Sequence, residues 1–471
     1  MAASPQAWRA CPSTSPEQPG STIATARLAP TRGRNMNYEA TPSTLAALVA
    51  KAAPGDVLTL GPGSYGDVRI SGGEGLTIKA SSGAFLRSLI LTKSKTIRLE
   101  GLTVQLTPRA DTVSWSAAVL ISGCQDVAMI GGHLIGGPAV AGVAPDAPKT
   151  EASGNVIGWP TGKGVDITKS SRVTISGVDV TTFDRGIGMS AVEDVDVRGC
   201  SISGLRRTAI SGAGMQRVTI EGNRLGAARP WRWSETPVGD HGDYIAFWTD
   251  ANYQTGPTEG LVIRGNVADQ GDGGAILGMW LQGGALGFKD PLIEGNVFLI
   301  GNGQGITLKD CQGGRVLNNT LLQSSGGPKD GPVILYTGAT RDVFAAGNIA
   351  AAIHDMTTTK TGTNTLAGDN LLVQRTDPTK PGHFGDEAVV KVRAAGVVGA
   401  ATAARQSIFG EKPPVIAEPP PTRDELRDLI RQSTVVKQEA LKTKGRISFD
   451  WKTPAEADAF LAAVNALRAA A

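Results

Sequence analysis

A short phrase of β-branched and aliphatic residues around a Gly-Asn pair recurs in the middle of the chain. Clear copies span 218–225, 261–267 and 292–299, and weaker copies span 316–322 and 343–349. Two earlier copies, 173–180 and 195–202, lack the Asn. A repeated unit this short cannot bury its own apolar face, so the copies must stack as a solenoid. The apolar runs have strand length and no helical period, which indicates a β-solenoid.

The spacing of the copies predicts the length of one coil. Gly177 and Gly199 are 22 residues apart, and Gly199 and Gly222 are 23 apart. The longer gaps, 43 residues from Gly222 to Gly265 and 30 from Gly265 to Gly295, are typical of the same coil with a loop inserted. Loops inserted at one point of a regular coil usually build its binding face. A near-constant period also disfavours a β-sandwich.

The Gly-Asn pair fits a tight bend, because Gly tolerates positive φ and stacked Asn side chains can hydrogen-bond along the coils. With these features the chain resembles right-handed parallel β-helices of the pectate-lyase type, whose coils carry such an Asn ladder. The resemblance covers residues 36–410 and implies an all-β fold, a right-handed parallel β-helix solenoid with an N-terminal capping helix and a short C-terminal helical tail. The ladder positions are Asn223, Asn266, Asn296, Asn319 and Asn348.

We expect four regions along the chain. Residues 1–35 are a disordered or attachment arm, or an upstream artefact with Met36 as the true start; they contain no hydrophobic core of a secretory signal. Residues 36–410 form the β-helix, 411–421 a stiff Pro-rich linker, and 422–471 a helical tail that docks rather than folds alone.

A capping helix is expected near residue 45, because a β-helix needs its open end covered. Ser43 or Thr44 can cap a helix whose Leu45, Leu48 and Val49 face inward. This segment resembles the entry segment of polysaccharide lyases related to chondroitin and alginate lyases.

Composition excludes several classes of function. The net charge of +3 and the lack of a basic stripe give no support for a nucleic-acid partner, and no apolar run is long enough to span a membrane. The four cysteines lack metal-site spacing. Cys124 and Cys311 both precede Gln at a strand end, so we expect them at equivalent buried or turn positions and not in a disulfide with each other.

The first strand of each coil is expected to form the binding surface together with the loop that enters it. One set of aliphatic residues is predicted to face inward: Ile167, Ile187, Ile210, Ile245, Ile276, Ile306 and Val333. Strand alternation then places another set outward: Asp166, Tyr244, Trp248, Lys309 and Tyr336. Aromatic and charged side chains on an outer strip are suited to stacking and hydrogen bonding with a sugar polymer.

Ionisable residues concentrate in the loops that enter these strands. They lie at 184–185, 206–207, 239–243 and 269–272, and the inserted loop 226–241 adds further arginines and tryptophans. Because coils stack at about 4.8 Å, equivalent positions in three or four coils lie within ~15 Å. We therefore expect catalytic candidates and substrate-binding candidates at one rim. The catalytic candidates are His241, Asp243, Asp272 and Arg207; the substrate-binding candidates are Trp231, Trp233, Tyr244, Trp248, Lys309 and Arg185.

Two mechanisms fit these residue types. Asp243 and Asp272 could act as general acid and base in glycoside hydrolysis. Alternatively, Arg207 or Lys309 could neutralise a uronate while His241 abstracts the proton in a β-elimination. The same residues also suit plain turn formation and bracing of the coils. No cofactor is predicted: a calcium site of the pectate-lyase kind has no supporting motif here.

Two classes of function therefore stay open. The first is a polysaccharide-binding and polysaccharide-cleaving protein, a lyase or glycoside hydrolase, such as a phage tail-associated depolymerase. The second is a non-catalytic structural or attachment β-helix of a virion or cell surface. Either would be virion-associated or extracellular, and a homotrimer or attachment to a larger particle through the termini is expected by resemblance to β-helix tailspikes.

Overall fold

The chain folds into coils that each contribute strands to three parallel sheets. The computed structural model describes residues 22–25, 35–140, 155–231, 239–324, 331–358 and 363–410, with backbone alone for 22–25 and 397–401. We call the sheets first, second and third, in the order in which each coil meets them. The fold class predicted from the repeat, an all-β parallel solenoid, is confirmed.

The first sheet carries the outer surface of interest. Its strands are Thr22–Thr25, Asp67–Ser71, Ser88–Thr92, Ala117–Ser122, Lys163–Thr168, Arg185–Arg198, Ile210–Glu221, Asp243–Trp248, Leu277–Gln282, Gln304–Lys309, Val333–Gly338 and Ile353–Thr357. The strands Arg185–Arg198 and Ile210–Glu221 are long enough to continue into the second sheet, where they pair with each other again. The first strand of this sheet lies in the predicted arm and pairs with Asp67–Ser71.

The second and third sheets complete each coil. The second sheet contains, besides the two long strands, Asn37–Ala40, Val57–Leu60, Thr77–Ala80, Lys95–Glu100, Gln125–Ile130, Ser171–Ser176, Val262–Arg264, Leu292–Glu294, Arg315–Leu317, Phe344–Ala346 and Thr365–Leu366. The third contains Thr103–Gln105, His133–Ile135, Asp179–Thr181, Ser201–Ser203, Arg224–Leu225, Val267–Asp269, Val297–Ile300, Thr320–Gln323, Ile349–Ala350 and Leu371–Leu372.

Short strands outside these sheets mark where the coils carry extra residues. Parallel pairs or triplets are formed by Gly63–Ser64 with Ala84–Phe85, and by Thr258–Glu259, Phe288–Lys289 and Cys311–Gln312. Gly137–Pro138 and Pro160–Thr161 pair antiparallel just before the strand Lys163–Thr168, which marks an insertion into the coil.

The Asn ladder lies at the bend between the second and third sheets, as predicted. Each side-chain amide donates to the Oδ1 of the next rung: Asn223 to Asn266 at 2.9 Å, Asn266 to Asn296 at 2.9 Å and Asn296 to Asn319 at 3.0 Å. Asn319 and Asn348 continue the ladder, and Asn370 adds a sixth rung that the sequence analysis did not include. The preceding residue has positive φ at each of the five predicted rungs, for example 62° at Gly265 and 56° at Asn318, which explains the Gly-Asn preference.

The coil interior is one continuous apolar core. Six of the seven residues predicted to face inward are buried: Ile167, Ile187, Ile210, Ile245, Ile276 and Ile306. Val333 is only partly buried, because the register shifts between Gln304 and Ile306 and Ile334 becomes the residue aligned with Ile306. Ile276 precedes its strand, and Met279 occupies the aligned inward position instead.

The cysteines in the described residues confirm the expected equivalence. Cys124 and Cys311 each lie two residues beyond a first-sheet strand, are buried, and are free thiols like Cys200. Their backbone N–H groups donate to equivalent hydroxyl oxygens, Ser170 Oγ at 3.0 Å and Thr340 Oγ1 at 3.2 Å. Burial raises the pKa of Cys200 to about 11, so its thiol stays protonated at neutral pH.

Helix α1, Leu45–Lys51, buries Leu45, Leu48 and Val49 against the first coils, as predicted. The predicted cap is wrong: Thr44 has helical φ and ψ and makes no side-chain cap hydrogen bond. Its Oγ1 instead accepts from the N–H of Thr41 at 2.9 Å.

Two helices follow the last strand in a region that the sequence analysis assigned to the β-helix. Helix α2 is Asp386–Ala394 and helix α3 is Gly396–Phe409. They cover the outer face of the third sheet, where an apolar cluster joins Val267, Val297, Leu299, Leu322 and Ile349 to Val389, Val392 and Ala404. The predicted linker and helical tail lie outside the described residues. No helix in the described part of the chain is long and apolar enough to cross a membrane.

Candidate functional site

The outer face of the first sheet carries an aromatic and polar strip over three neighbouring coils. We call these the central coils; their first strands are Asp243–Trp248, Leu277–Gln282 and Gln304–Lys309. Strand alternation aims Ala246, Trp280 and Thr307 outward in one row, and Trp248, Gln282 and Lys309 in the next. Trp248, Trp280 and Lys309 are partly exposed. The Cα atoms of Trp248 and Trp280 are diagonal neighbours, about 8 Å apart on ideal strand geometry.

A histidine–carboxylate pair lies at the end of this strip where the strands begin. His241 Nδ1 is 3.4 Å from Asp243 Oδ2, and the His241 side chain is 54% exposed. Asp243 is almost completely buried, at 4% exposure. The His241 ring meets the Trp280 ring edge to face, with 6.3 Å between centroids. His241, Asp243 and Trp280 therefore form one contiguous group.

Two buried polar atoms of this group have no hydrogen-bond partner among the described residues. They are Oδ1 of Asp243 and Nε1 of Trp280. Thr307 Oγ1, in the same outward row as Trp280, is also buried and unpaired. A buried polar atom without a partner costs free energy, so such a concentration is typical of a place where a ligand or water completes the bonding.

The prediction that Tyr244 and Tyr336 face outward is wrong. Tyr244 is 1% exposed and Tyr336 is fully buried, and burial raises the pKa of both phenols. Tyr336 turns inward because the register shift described above aligns it with Leu308. Tyr244 aligns with positions that are Gly278 and Ala209 in the neighbouring coils, so it fills an inner corner that is otherwise occupied by small residues.

Arg207 also lies away from the strip. It is 4% exposed, and its Nε donates to Asp184 Oδ1 at 2.6 Å while Nη2 contacts Asp184 Oδ2. Its neighbour Arg206 is fully buried and pairs with Asp240. Both arginines are buried inside the stacked loops. Arg207 therefore does not lie on the outer surface, where it was predicted to contact a substrate carboxylate.

The two carboxylates that sequence analysis paired for hydrolysis are in different surroundings. Asp272 is 78% exposed at the rim, where its Oδ2 accepts from Arg229 at 2.8 Å. Asp243 is buried beside His241. This leaves Asp243 grouped with a histidine, and Asp272 with an arginine.

Two of the remaining predicted residues, Arg185 and Trp231, are partly exposed. Arg185 aligns through Thr208 with Asp243, which puts their Cα atoms roughly 10 Å apart on coil spacing. Trp231 lies at the base of the inserted loop. Trp233, in the same loop, lies outside the described residues.

Trp280 is the site residue that sequence analysis missed. The residue predicted to face inward in its coil is Ile276, which lies one residue before the observed strand Leu277–Gln282. The alternation of Met279 and Leu281 with Trp280 and Gln282 carried the correct signal. Within the described residues, no group of three or more His, Cys, Asp or Glu side chains could hold a metal ion.

Comparison with known proteins supports the architecture. Residues 117–348 match the family model for a right handed beta helix region, whereas no curated protein gives a significant sequence match. Similar solved structures include the Dettilon tailspike protein, at 15% identity and TM-score 0.45, covering 70% of this chain and 62% of that one. Another is the tailspike of E. coli bacteriophage HK620 in complex with pentasaccharide, at 10% identity and TM-score 0.40, covering 70% and 57%.

The Streptococcus pneumoniae surface protein and adhesin PfbA is also similar, at 10% identity and TM-score 0.39, covering 67% of this chain and 91% of the adhesin. The chain thus spans less than two thirds of the two tailspike chains. The parallel coils, the Asn ladder and the family match over residues 117–348 together identify the fold of this chain as a right-handed parallel β-helix.

Proposed function

We propose that this chain binds a polysaccharide along the outer face of the central coils. The observation that carries the proposal is the coincidence of Trp248, Trp280 and the His241–Asp243 pair on one surface, with two of their buried polar atoms unpartnered. An indole face stacks on the C–H face of a sugar ring, and unpaired donors and acceptors bind hydroxyl groups. The site thus has the chemistry that an extended glycan requires.

The dimensions of the strip suit several sugar units rather than one. On ideal strand geometry the Cα atoms of Asp243 and Lys309 are roughly 19 Å apart, five residues along and two coils across. Lys309 would therefore contact a different sugar from the one beside His241. If the sugar beside His241 is a uronate, Arg185 would pair with its carboxylate better than Lys309, because the register places Arg185 nearer to Asp243.

We further propose that His241 and Asp243 supply acid–base chemistry at the end of the strip. A carboxylate hydrogen-bonded to Nδ1 orients an imidazole and stabilises its protonated form, and it leaves Nε2 to exchange a proton with the substrate. β-Elimination from a uronate needs one such base beside the sugar C5–H. Hydrolysis by Asp243 with Asp272 has less support, because Asp272 is paired with Arg229 at the exposed rim.

Trp280→Ala tests the binding proposal. Affinity electrophoresis would compare polygalacturonate, alginate, hyaluronan and chondroitin with neutral dextran. Trp280→Ala should weaken binding at least ~10-fold, because an aromatic side chain that a ligand covers at the centre of a binding surface typically contributes more than about 1.4 kcal/mol. Trp115→Ala is the matched control, since Trp115 is 45% exposed and precedes a first strand far from the central coils.

The proposed surface would be contradicted if Trp280→Ala and Trp115→Ala lost the same affinity for the polysaccharide. It would also be contradicted if Trp280→Ala bound as tightly as the wild type. Binding without any cleavage would favour the alternative of a non-catalytic attachment protein. Light scattering on the purified chain would test the homotrimer that is expected by resemblance to β-helix tailspikes.

A further inference from the structure

The inserted loop before the strand Asp243–Trp248 carries both Trp231 and His241, and its two described ends are fastened to each other. The N–H of Asp240 donates to the carbonyl oxygen of Trp231 at 2.8 Å. In return, the N–H of Trp231 donates to Asp240 Oδ2 at 2.7 Å. The loop is therefore closed at its base by one residue, and that residue immediately precedes His241.

The carboxylate that closes the loop is itself held by a buried arginine. Arg206 Nε donates to Asp240 Oδ2 at 2.7 Å and Nη2 donates to Asp240 Oδ1 at 2.9 Å. Arg206 is fully buried and Asp240 is 5% exposed. A two-point guanidinium–carboxylate contact fixes direction as well as distance, which a lysine could not do.

Arg206 is in turn fixed by the coil beneath it. Its N–H donates to Phe183 O at 2.9 Å, and Arg207 N–H donates to Asp184 O at 2.8 Å. Asp184 Oδ1 lies 3.9 Å from Arg206 Nε, and the same carboxylate pairs with Arg207. Two guanidinium groups and two carboxylates thus balance their charges across three successive entry loops.

From this arrangement we propose that Asp240 and Arg206 are positioning residues for the glycan site. They fix the two described ends of the inserted loop, so that His241 lies against Trp280 on the outer face of the central coils. The inference rests on the proposed function, because it assumes that this surface binds a glycan. The contacts of Arg206 with Asp240, which we call the clamp, do not depend on that proposal. Buried ion pairs add little net stability compared with apolar packing, so orientation explains the clamp better than stability does.

Asp240→Asn is the direct test, because it keeps the shape of the side chain and removes its charge. Trypsin can cut the loop after Arg232, whereas the Arg229–Pro230 bond is resistant. Cleavage at Arg232, measured well below the melting temperature, should be at least ~10-fold faster in Asp240→Asn than in wild type. If Asp240→Asn does not fold, Arg206→Lys replaces it: the buried charge stays, the two-point contact is lost, and the same acceleration is expected.

The matched control is Asp67→Asn. Asp67 also accepts two hydrogen bonds from an arginine of the next coil, at 2.7 and 2.8 Å from Arg87, but lies far from the inserted loop. A second readout is the imidazole NMR signal of His241, assigned among the four histidines by His241→Gln. This signal should shift in Asp240→Asn and stay unchanged in Asp67→Asn, whereas general weakening of the coils would affect both alike.

Wild-type cleavage rates and an unchanged His241 signal in folded Asp240→Asn or Arg206→Lys would overturn the inference. Equal acceleration in Asp67→Asn would overturn it as well. If the wild type binds none of the polysaccharides, the proposed function fails, while the loop cleavage and the His241 signal still decide whether Asp240 and Arg206 position the loop.

Discussion

At the residue scale, Asn266 shows how a single side chain joins three coils. Its amide donates to Asn296 Oδ1 and to Ile220 O, each at 2.9 Å. Its Oδ1 accepts from the backbone N–H of Asn223 at 3.0 Å and from the side-chain amide of the same residue at 2.9 Å. All these groups are buried, so removal of the amide would leave several donors and acceptors unpaired.

Asn266→Leu is expected to lower the free energy of unfolding by roughly 1–3 kcal/mol, the usual cost of buried groups left without partners. Urea unfolding followed by circular dichroism measures the change. Asn318→Gly is the control at the same kind of bend: Asn318 has a φ of 56°, which glycine tolerates, so this change should stay within ~0.5 kcal/mol. A wild-type midpoint for Asn266→Leu would contradict the role of the ladder.

His241→Ala is expected to reduce polysaccharide cleavage at least ~100-fold, the typical contribution of a general acid or base. Reducing ends and absorbance at the unsaturated uronate band measure the rate. Because His241 is 54% exposed, the melting temperature should hardly change. If turnover survives in His241→Ala, the acid–base proposal is wrong even if binding persists.

Single residues also show why sequence predicted some positions and not others. Five rungs of the Asn ladder could be predicted because each follows a residue that needs positive φ, a local requirement visible in the Gly-Asn pair. The outward placement of Tyr336 failed because a register shift between its own strand and the neighbouring strand Gln304–Lys309 reversed its side, and no local signal marks such a shift. Arg207 was predicted to lie at the exposed rim because its partner, Asp184, belongs to the preceding coil, and sequence alone does not reveal an ion pair between coils.

At the element scale, helices α2 and α3 explain apolar strands that the coil pattern alone does not require. Val297–Ile300 is buried on both faces, whereas Thr103–Gln105 in the same sheet has a polar outer side. The helices cover this outer face, and Arg393 of α2 donates to Asp269 Oδ2 at 2.6 Å and Oδ1 at 2.8 Å. An uninterrupted apolar strand is typical of burial on both sides, and this was the available signal for a covering element.

Val389→Asp tests whether α2 is a docked part of the fold. Val389 is 6% exposed within the apolar cluster, whereas the next residue, Val390, is 58% exposed. A buried unpaired charge should cost about 2–4 kcal/mol or detach the helices, while Val390→Asp should be nearly neutral. Amide hydrogen exchange in Asp386–Ala394 measures the difference. Equal exchange in the two variants would contradict the docking.

The candidate site could be predicted as a region, because loops and first strands of a stacked coil must meet at one rim. Its individual members were harder to predict. Trp280 was missed because Ile276 was taken as the inward residue of its coil, although Ile276 precedes the strand Leu277–Gln282. Asp272 was included because stacking predicts nearness but not the direction of a side chain, and Asp272 turns toward Arg229.

At the scale of the whole molecule, the stacking of short repeated coils produces a rigid outer surface. The core runs continuously through the coils, so the outward side chains of neighbouring coils keep a fixed spacing. A repeating ligand can match such a spacing without further rearrangement of the protein. The central coils are the place where this surface carries tryptophans and the His241–Asp243 pair.

Hydroxyl-radical footprinting of the chain, with and without the polysaccharide that binds most tightly, tests the proposed surface most directly. Oxidation of Trp248 and Trp280 should fall on binding, because both are partly exposed on the outer face of the central coils. Trp115, 45% exposed, and Met356, 67% exposed, should oxidise at unchanged rates. Unchanged oxidation of Trp248 and Trp280 in the bound state, or protection confined to Trp115 and Met356, would contradict the account.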